Sequence, residues 1–411
     1  MTHNILFIII LIIYIADFLF ERYISFLNIK SSGKPIPTIL NDIYDAEKYA
    51  KQQRYFQTNS RFGMITSTFS FMIVLLMLLL GGFGFVDEIV RSWGFSEIPT
   101  TIIFLGILFF LNDILNIPFE LYAIFVIEQR FDFNRVTPKI YIFDKLKNYL
   151  LMAIIGGGLI SLIAWIYQLT PEYFWLLAFS AVMFFSLFMG LFYSDIIVPL
   201  FNRQTPLEQG ELRDEIEKFA QKVGFGIKNI YVIDGSKRST KANAYFTGFW
   251  GKKRIVLYDT LISKMTTQEI VAVLSHEIGH NKHRHTLKNM AVSLPSNLLL
   301  FYLLGIILNN EVFAQALGGQ QASFHLNMLC FGILYTPVSM LLDILGNVLS
   351  RRHEFQADNF SKSHNLGNEL VSALKKLSAT SLSNLTPHSL AVFVRYSHPT
   401  VYQRIKKLSF E

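Results

Sequence analysis

Apolar residues fall into seven runs long enough to cross a hydrocarbon core, which takes about 20 helical residues. They cover Ile5–Phe20, Phe62–Val86, Thr100–Ile127, Tyr149–Tyr167, Phe174–Phe201, Met290–Leu308 and Leu326–Leu349. The pattern predicts seven spanning helices. The first is read as a retained anchor, because it lacks a basic leading segment and a small-residue cleavage site. Between the fifth and sixth runs the pattern changes character. Leu212, Ile216, Phe219 and Val223 recur at helical spacing, and Asn229–Ile233, after Gly224 and Gly226, reads as a strand. Asn243–Trp250 and Arg254–Thr260 flank Gly251-Lys252-Lys253 as the arms of a hairpin. Thr266 and Glu269 have the spacing of a capping box, opening a helix that carries Ile270, Val271, Val273, Leu274 and Ile278. Beyond Ser350, further helices are predicted near Glu369–Leu377 and Thr400–Leu408.

Composition agrees with this pattern, with 52% of residues hydrophobic and only 16% charged, against roughly a quarter charged in a soluble domain. Disorder, collagen and a disulfide scaffold are excluded. The single cysteine, Cys330, also rules out an intrachain disulfide and a Cys-rich metal site. The distribution of charge is more informative than its sum of +7. Of the 37 lysines and arginines, all but Arg91 lie in the first, third and fifth loops and the C-terminal tail. Cytoplasmic loops carry the excess of Lys and Arg. The N-terminus is therefore expected outside, with the fifth loop and tail in the cytoplasm. Topology accounts for the positive charge, so no nucleic-acid partner is expected. The chain divides into residues 1–201 with five spans, a cytoplasmic domain at 202–289, two further spans at 290–350, and a cytoplasmic tail at 351–411.

The capped helix carries His276-Glu277-Ile278-Gly279-His280. Histidines four apart share one helical face, so both imidazoles reach one zinc ion while Glu277 stands beside them as general base. A catalytic zinc takes a third protein ligand and keeps one position open. Glu354, in Arg351-Arg352-His353-Glu354-Phe355-Gln356-Ala357-Asp358, is the candidate. Asp358, one turn on, is placed to accept the free N–H of a ligating histidine. Asp343, Asn347, Glu354 and Asp358 share a helical face expected to line a cavity. His283 and His285 break the ligand spacing and are expected to be solvated or to form a second layer. Arg351 and Arg352 read as interfacial anchors.

Several blocks together resemble the type I CAAX prenyl endopeptidases, integral-membrane zinc metalloproteases that cut prenylated protein C-termini. They are His276–His280, Arg351–Asp358, Ser236–Phe249 (SKRSTKANAYFTGF), Tyr396–Pro399 (YSHP), Phe125–Asp144 and Ile197–Glu211. The cluster Asn281–His285 departs from the family pattern but leaves its core motif intact. The resemblance implies zinc on His276, His280 and Glu354, Glu277 as base, and Asn243 and His398 in the active-site groove. It makes Asn243, Ala244 and Tyr245 part of an edge strand that pairs with substrate, and His398 a stabiliser of the oxyanion. It also implies seven tilted helices around a water-filled chamber.

The expectation is an all-α polytopic membrane protein, with seven transmembrane helices enclosing a chamber. A zincin-like cytoplasmic protease domain would contain a small β-hairpin or sheet. Its expected function is a zinc endopeptidase with one Zn2+ per chain, acting on prenylated peptide or protein within the lipid bilayer, with no obligate protein partner. Short outer loops favour a bacterial inner membrane over the endoplasmic reticulum. Two alternatives stay open. One is a quality-control membrane protease with no prenyl requirement. The other is a seven-span receptor or transporter with a structural zinc, which would need a fourth protein ligand.

Overall fold

The computed structural model describes residues 2–226, 229–247 and 254–410. The Gly251-Lys252-Lys253 turn of the predicted hairpin lies outside the described residues. Among the described residues, seven helices are long and apolar enough to span a membrane. They are His3–Ser32, Ala46–Leu79, Glu97–Glu128, Pro138–Leu169, Pro171–Phe201, His285–Leu308 and Phe324–Ser363. Six contain their predicted apolar run whole and extend past it. Hydropathy marks only the part of a helix suited to hydrocarbon, and these helices continue beyond it with polar ends. The second run is corrected. Its helix stops at Leu79, Gly81 takes a left-handed conformation, and Gly82–Ser92 forms a separate helix with Asp87 and Val90 buried.

Only 6 to 17% of the apolar window of each span is buried against protein. A close-packed bundle would bury far more, so the spans form a ring with apolar surface on both flanks. Cavities of about 870 Å³ and 500 Å³ open among the spans. The larger is lined by Tyr193, Tyr245 and Tyr258, the smaller by Asn289, Asn297 and Asp343.

Among the described residues, the non-spanning part is built on four strands, β1 (Gln204–Pro206), β2 (Asn229–Ile233), β3 (Ala244–Thr247) and β4 (Arg254–Tyr258), in the order β1-β2-β4-β3. β3 and β4 pair antiparallel, with Ala244 opposite Leu257, as a hairpin requires. β2 runs parallel to β4. Ile255, Val256 and Leu257 are buried side by side, so β4 is covered on both faces and reads as a continuous apolar run. β1 escapes sequence reading because it is three residues long and ends in proline.

The motif helix, Thr267–Lys282, packs Ile270, Leu274 and Ile278 against Ile230, Ile255 and Leu257 of the sheet and Phe219 of the helix Glu211–Lys222. Each fully buried side chain of this size contributes about 1.5–3 kcal/mol. The capping box forms as predicted, with Thr266 and Glu269 each satisfying the other's backbone N–H. Glu269 also accepts from Ser372 and Lys376 of the tail helix Gly367–Thr380 at 2.6 Å and 2.7 Å, which fixes the motif helix against the tail.

Candidate active site

Two helices cross at the site, and Gly279 sets how closely. A Cβ there would lie 3.0 Å from Phe360 Cβ and 3.1 Å from Ala357 Cα on the helix Phe324–Ser363. The absence of a side chain at Gly279 therefore lets the backbones approach until both histidines meet the glutamate. His276 Nε2 and His280 Nε2 are 3.1 Å apart. Glu354 Oε1 lies 3.2 Å from His280 Nε2, and Glu354 Oε2 lies 3.4 Å from His276 Nε2. A tetrahedral zinc with bonds of about 2.0–2.1 Å separates its ligand atoms by about 3.3–3.4 Å. The three donors already hold that triangle. Glu354 is buried, and its Oε2 makes no hydrogen bond among the described residues, an orphaned acceptor of the kind a cation would satisfy. Among the described residues, this is the group of three placed to share a metal, which leaves the fourth corner open.

Behind the triangle, His276 Nδ1 lies 2.9 Å from Asp358 Oδ1. Asp358 is itself clamped by Arg404, whose Nη2 donates to Oδ1 at 2.6 Å and whose Nε donates to Oδ2 at 2.9 Å. Arg404 Nη1 also lies 3.4 Å from Glu354 Oε2. Burial and the Arg404 charge press the His276 pKa down, but Asp358 and Glu354 outweigh them and hold it above the usual imidazole value. Burial likewise opposes the charge on Arg404, and Asp358, Glu354 and Glu277 more than offset it. Sequence reasoning missed Arg404. The available signal was its position at the i+3 place of the stripe Val401, Arg404, Ile405, Leu408, where a buried face otherwise takes apolar residues.

Glu277 is half-buried beside this group. His398 is 65% exposed, with Nε2 3.3 Å from Glu354 Oε1 and Nδ1 3.0 Å from Ser397 Oγ. It does not cap the helix that follows. Thr400 does, through reciprocal bonds with Gln403 at 2.9 Å and 3.2 Å. Arg351, expected as a lipid anchor, instead donates to Val392 O at 3.1 Å and Tyr396 O at 2.5 Å and pins the segment that presents His398. Arg352 is exposed.

The structure brings His276, Glu277, His280, Glu354, Asp358 and His398 together. Ala244 and Tyr245 begin β3, the outer strand of the sheet, and Asn243 immediately precedes it, exposed, with its Oδ1 accepting from the Ala244 N–H at 2.9 Å. The Tyr245 hydroxyl turns toward the spans, 3.3 Å from Ser194 Oγ and 3.3 Å from Gln204 Nε2. The expected polar face of the last span meets three different neighbours along its length. Asp343 lines the smaller cavity, Asn347 donates to Val394 O at 2.8 Å, and Glu354 with Asp358 turns into the site. Residues share a face by angle, but a helix of 40 residues passes several partners. His283 is exposed and His285 buried, so the two alternatives offered for them divide between them.

Seven spans around an interior space, joined to a motif helix that converges with a glutamate from the last span, define an integral-membrane metallopeptidase. Residues 206–411 match peptidase family M48, and residues 25–203 match the CAAX prenyl protease N-terminal region of five membrane helices. The chain belongs to peptidase family M48. CAAX prenyl protease 1 of Saccharomyces cerevisiae is 32% identical over 424 residues, covering 96% of this chain and 93% of that one. The CAAX prenyl protease 1 homolog of Homo sapiens is 30% identical over 91% of this chain and 88% of its own length. The crystal structure of S. mikatae Ste24p has a TM-score of 0.94 at 31% identity, covering 98% of this chain and 99% of that one. This membership sets aside a receptor or transporter with a structural metal.

Proposed function

We propose that the chain is a zinc endopeptidase that cuts near the C-terminus of prenylated, CAAX-type proteins or peptides. The observation that carries the metal chemistry is the triangle of His276, His280 and Glu354, with edges of 3.1 to 3.4 Å. Two imidazoles and one carboxylate are the donor set of a catalytic zinc site. The names of the relatives in yeast and human support the prenyl substrate. Zinc held there would polarise the scissile carbonyl and acidify water. Glu277 takes the proton of the attacking water and passes it to the leaving amine. Asp358 holds the Nδ1–H of His276, so that its Nε2 lone pair points into the triangle. His398, exposed beside Glu354, donates to the developing oxyanion. The outer edge of β3, at Asn243, Ala244 and Tyr245, pairs with the substrate backbone.

We place the site on the cytoplasmic face, on the confinement of all but Arg91 of the 37 lysines and arginines to alternate loops, and the chain in a bacterial inner membrane, on its short outer loops. We divide the chain into residues 1–201, 202–289, 290–350 and 351–411. The junction of the two family matches, between residues 203 and 206, supports the first boundary.

The substrate reading is tested with purified protein in detergent and one peptide in farnesylated and unmodified forms. Zinc-dependent cleavage is expected, faster for the farnesylated form. The preference should be modest, because burial contributes about 0.8 kcal/mol per CH₂ and the tail leaves a micelle rather than water. Equal rates would favour a quality-control protease without a prenyl requirement.

A further inference from the structure

The two histidines that face the metal position are held from behind by different chemistry. His276 has the Asp358 carboxylate at its Nδ1, 2.9 Å away. His280 has another imidazole, with its Nδ1 3.0 Å from Nδ1 of His285. His285 is itself held at its other nitrogen, where Nε2 lies 2.7 Å from Gln356 Oε1. Its ring is buried and stacked on His353, with centroids 4.0 Å and planes 11° apart. The chain reaches this geometry through Arg284, which has φ 55° and ψ 38° between the motif helix and the sixth span. A non-glycine residue in the left-handed region is uncommon and costs free energy. Here the turn folds His285 back beneath His280.

Hydrogen-bond inventory then assigns the protons. An amide oxygen only accepts, so His285 Nε2 carries a proton and donates to Gln356. The neutral His285 ring is left with a lone pair at Nδ1. Two ring nitrogens 3.0 Å apart need one proton between them, and His280 Nδ1 supplies it. His280 Nε2 is then left with a lone pair, aimed into the triangle with His276 and Glu354.

We infer that Gln356 and His285 form a neutral relay that fixes His280 as its Nδ1–H tautomer and so prepares Nε2 as a metal donor. They are positioning residues, and the inference rests on the reading of His280 as a ligand. The same arrangement separates the two ligands electronically. A carboxylate behind a ligating imidazole raises its basicity, and His276 has one where His280 has only a neutral ring. The relay also ties His280 to the helix that carries Glu354, since Gln356 stands two residues beyond Glu354 on the last spanning helix.

The test measures zinc retention by the full chain in detergent, in competition with a chelator, together with the visible spectrum of the cobalt-substituted protein. Four variants are compared, His285→Leu, His285→Asn, Gln356→Leu and His280→Ala. Removing a group that orients a ligand costs about 10–100-fold in metal affinity, and that loss is expected for His285→Leu, with an altered cobalt spectrum. Gln356→Leu is expected to show a loss in the same direction. Because Gln356 is exposed, this variant decides the question if His285→Leu does not fold. His285→Asn places an amide oxygen near the position of Nδ1, still able to accept from His280, and should recover most of the affinity. Wild-type zinc retention in both leucine variants would overturn the relay, as would a loss in His285→Asn equal to that in His285→Leu. Stoichiometric zinc in His280→Ala would overturn the underlying assignment of the ligand.

Discussion

Buried histidine–carboxylate pairs stand at two places along the last spanning helix, and they differ in what is left over. Near its start, His325 Nε2 lies 2.6 Å from Asp87 Oδ1 and 2.9 Å from Ser323 Oγ, and its Nδ1 lies 3.2 Å from Thr101 Oγ1. Arg91 closes the pair from behind, with Nε 2.9 Å from Asp87 Oδ1. Both ring nitrogens and the carboxylate have partners. Around them the backbones are in tight contact. The Gly84 N–H donates to Leu317 O at 3.0 Å, and a Cβ on Gly84 would lie 2.1 Å from Gly318 O. This is a staple joining the helix Gly82–Ser92 to the third and last spans. At the other end, 29 residues on and roughly 43 Å along the helix at 1.5 Å per residue, the donors face each other. His276 and His280 point their Nε2 atoms together at 3.1 Å, and the nearby Glu354 Oε2 lacks a hydrogen bond among the described residues. Such an arrangement is unfavourable unless a proton or a cation lies between the donors. Both ends bury a histidine against a carboxylate, His325 with Asp87 and His276 with Asp358. Unspent lone pairs mark the functional one.

The comparison breaks most sharply under substitution at each end. Glu354→Ala is expected to abolish stoichiometric zinc and peptide cleavage together. His325→Ala should leave zinc content unchanged but destabilise the protein by about 1–3 kcal/mol, the cost of removing a buried hydrogen-bond partner from Asp87, which keeps its ion pair with Arg91. Metal analysis and thermal melting in detergent check the pair. Loss of zinc in His325→Ala would mean that the two ends are not separate. A smaller effect sharpens the picture at the metal end. Asp358→Asn keeps the shape but removes the charge behind His276, and its zinc affinity should fall by about 10–100-fold, read by chelator competition. The smallest effect concerns the scaffold alone. Thr266→Ala removes one half of the capping box and should cost about 1 kcal/mol of stability, with no change in zinc stoichiometry.

Much of this was legible in the chain. The spans, the capped motif helix and the β3–β4 pairing each rest on a local periodicity or spacing and form from their own residues, and the candidate ligand Glu354 could be named from its spacing to Asp358. What stayed hidden depends on residues that meet only after the chain has folded. Arg404 and Asp358 are 46 positions apart, and nothing local in either segment names the other. Asp87 and His325 are 238 positions apart, so their pairing carried no signal in either run. The second span was misjudged at its end for a different reason. Hydropathy does not register the left-handed Gly81 that separates Leu79 from the short helix beginning at Gly82. Arg351 was misread because an arginine at a span end has the same appearance in sequence whether it meets lipid headgroups or, as here, the carbonyls of Val392 and Tyr396.

Holding the metal and doing the chemistry fall to different side chains, and one variant separates the two roles. Glu277→Gln leaves His276, His280 and Glu354 in place and removes only the proposed base. In purified protein, zinc content and the rate of cleavage of a farnesylated peptide are measured on the same sample. One zinc per chain is expected, with cleavage slowed at least about 10²-fold. Cleavage at the wild-type rate by the zinc-loaded variant would contradict this division of roles.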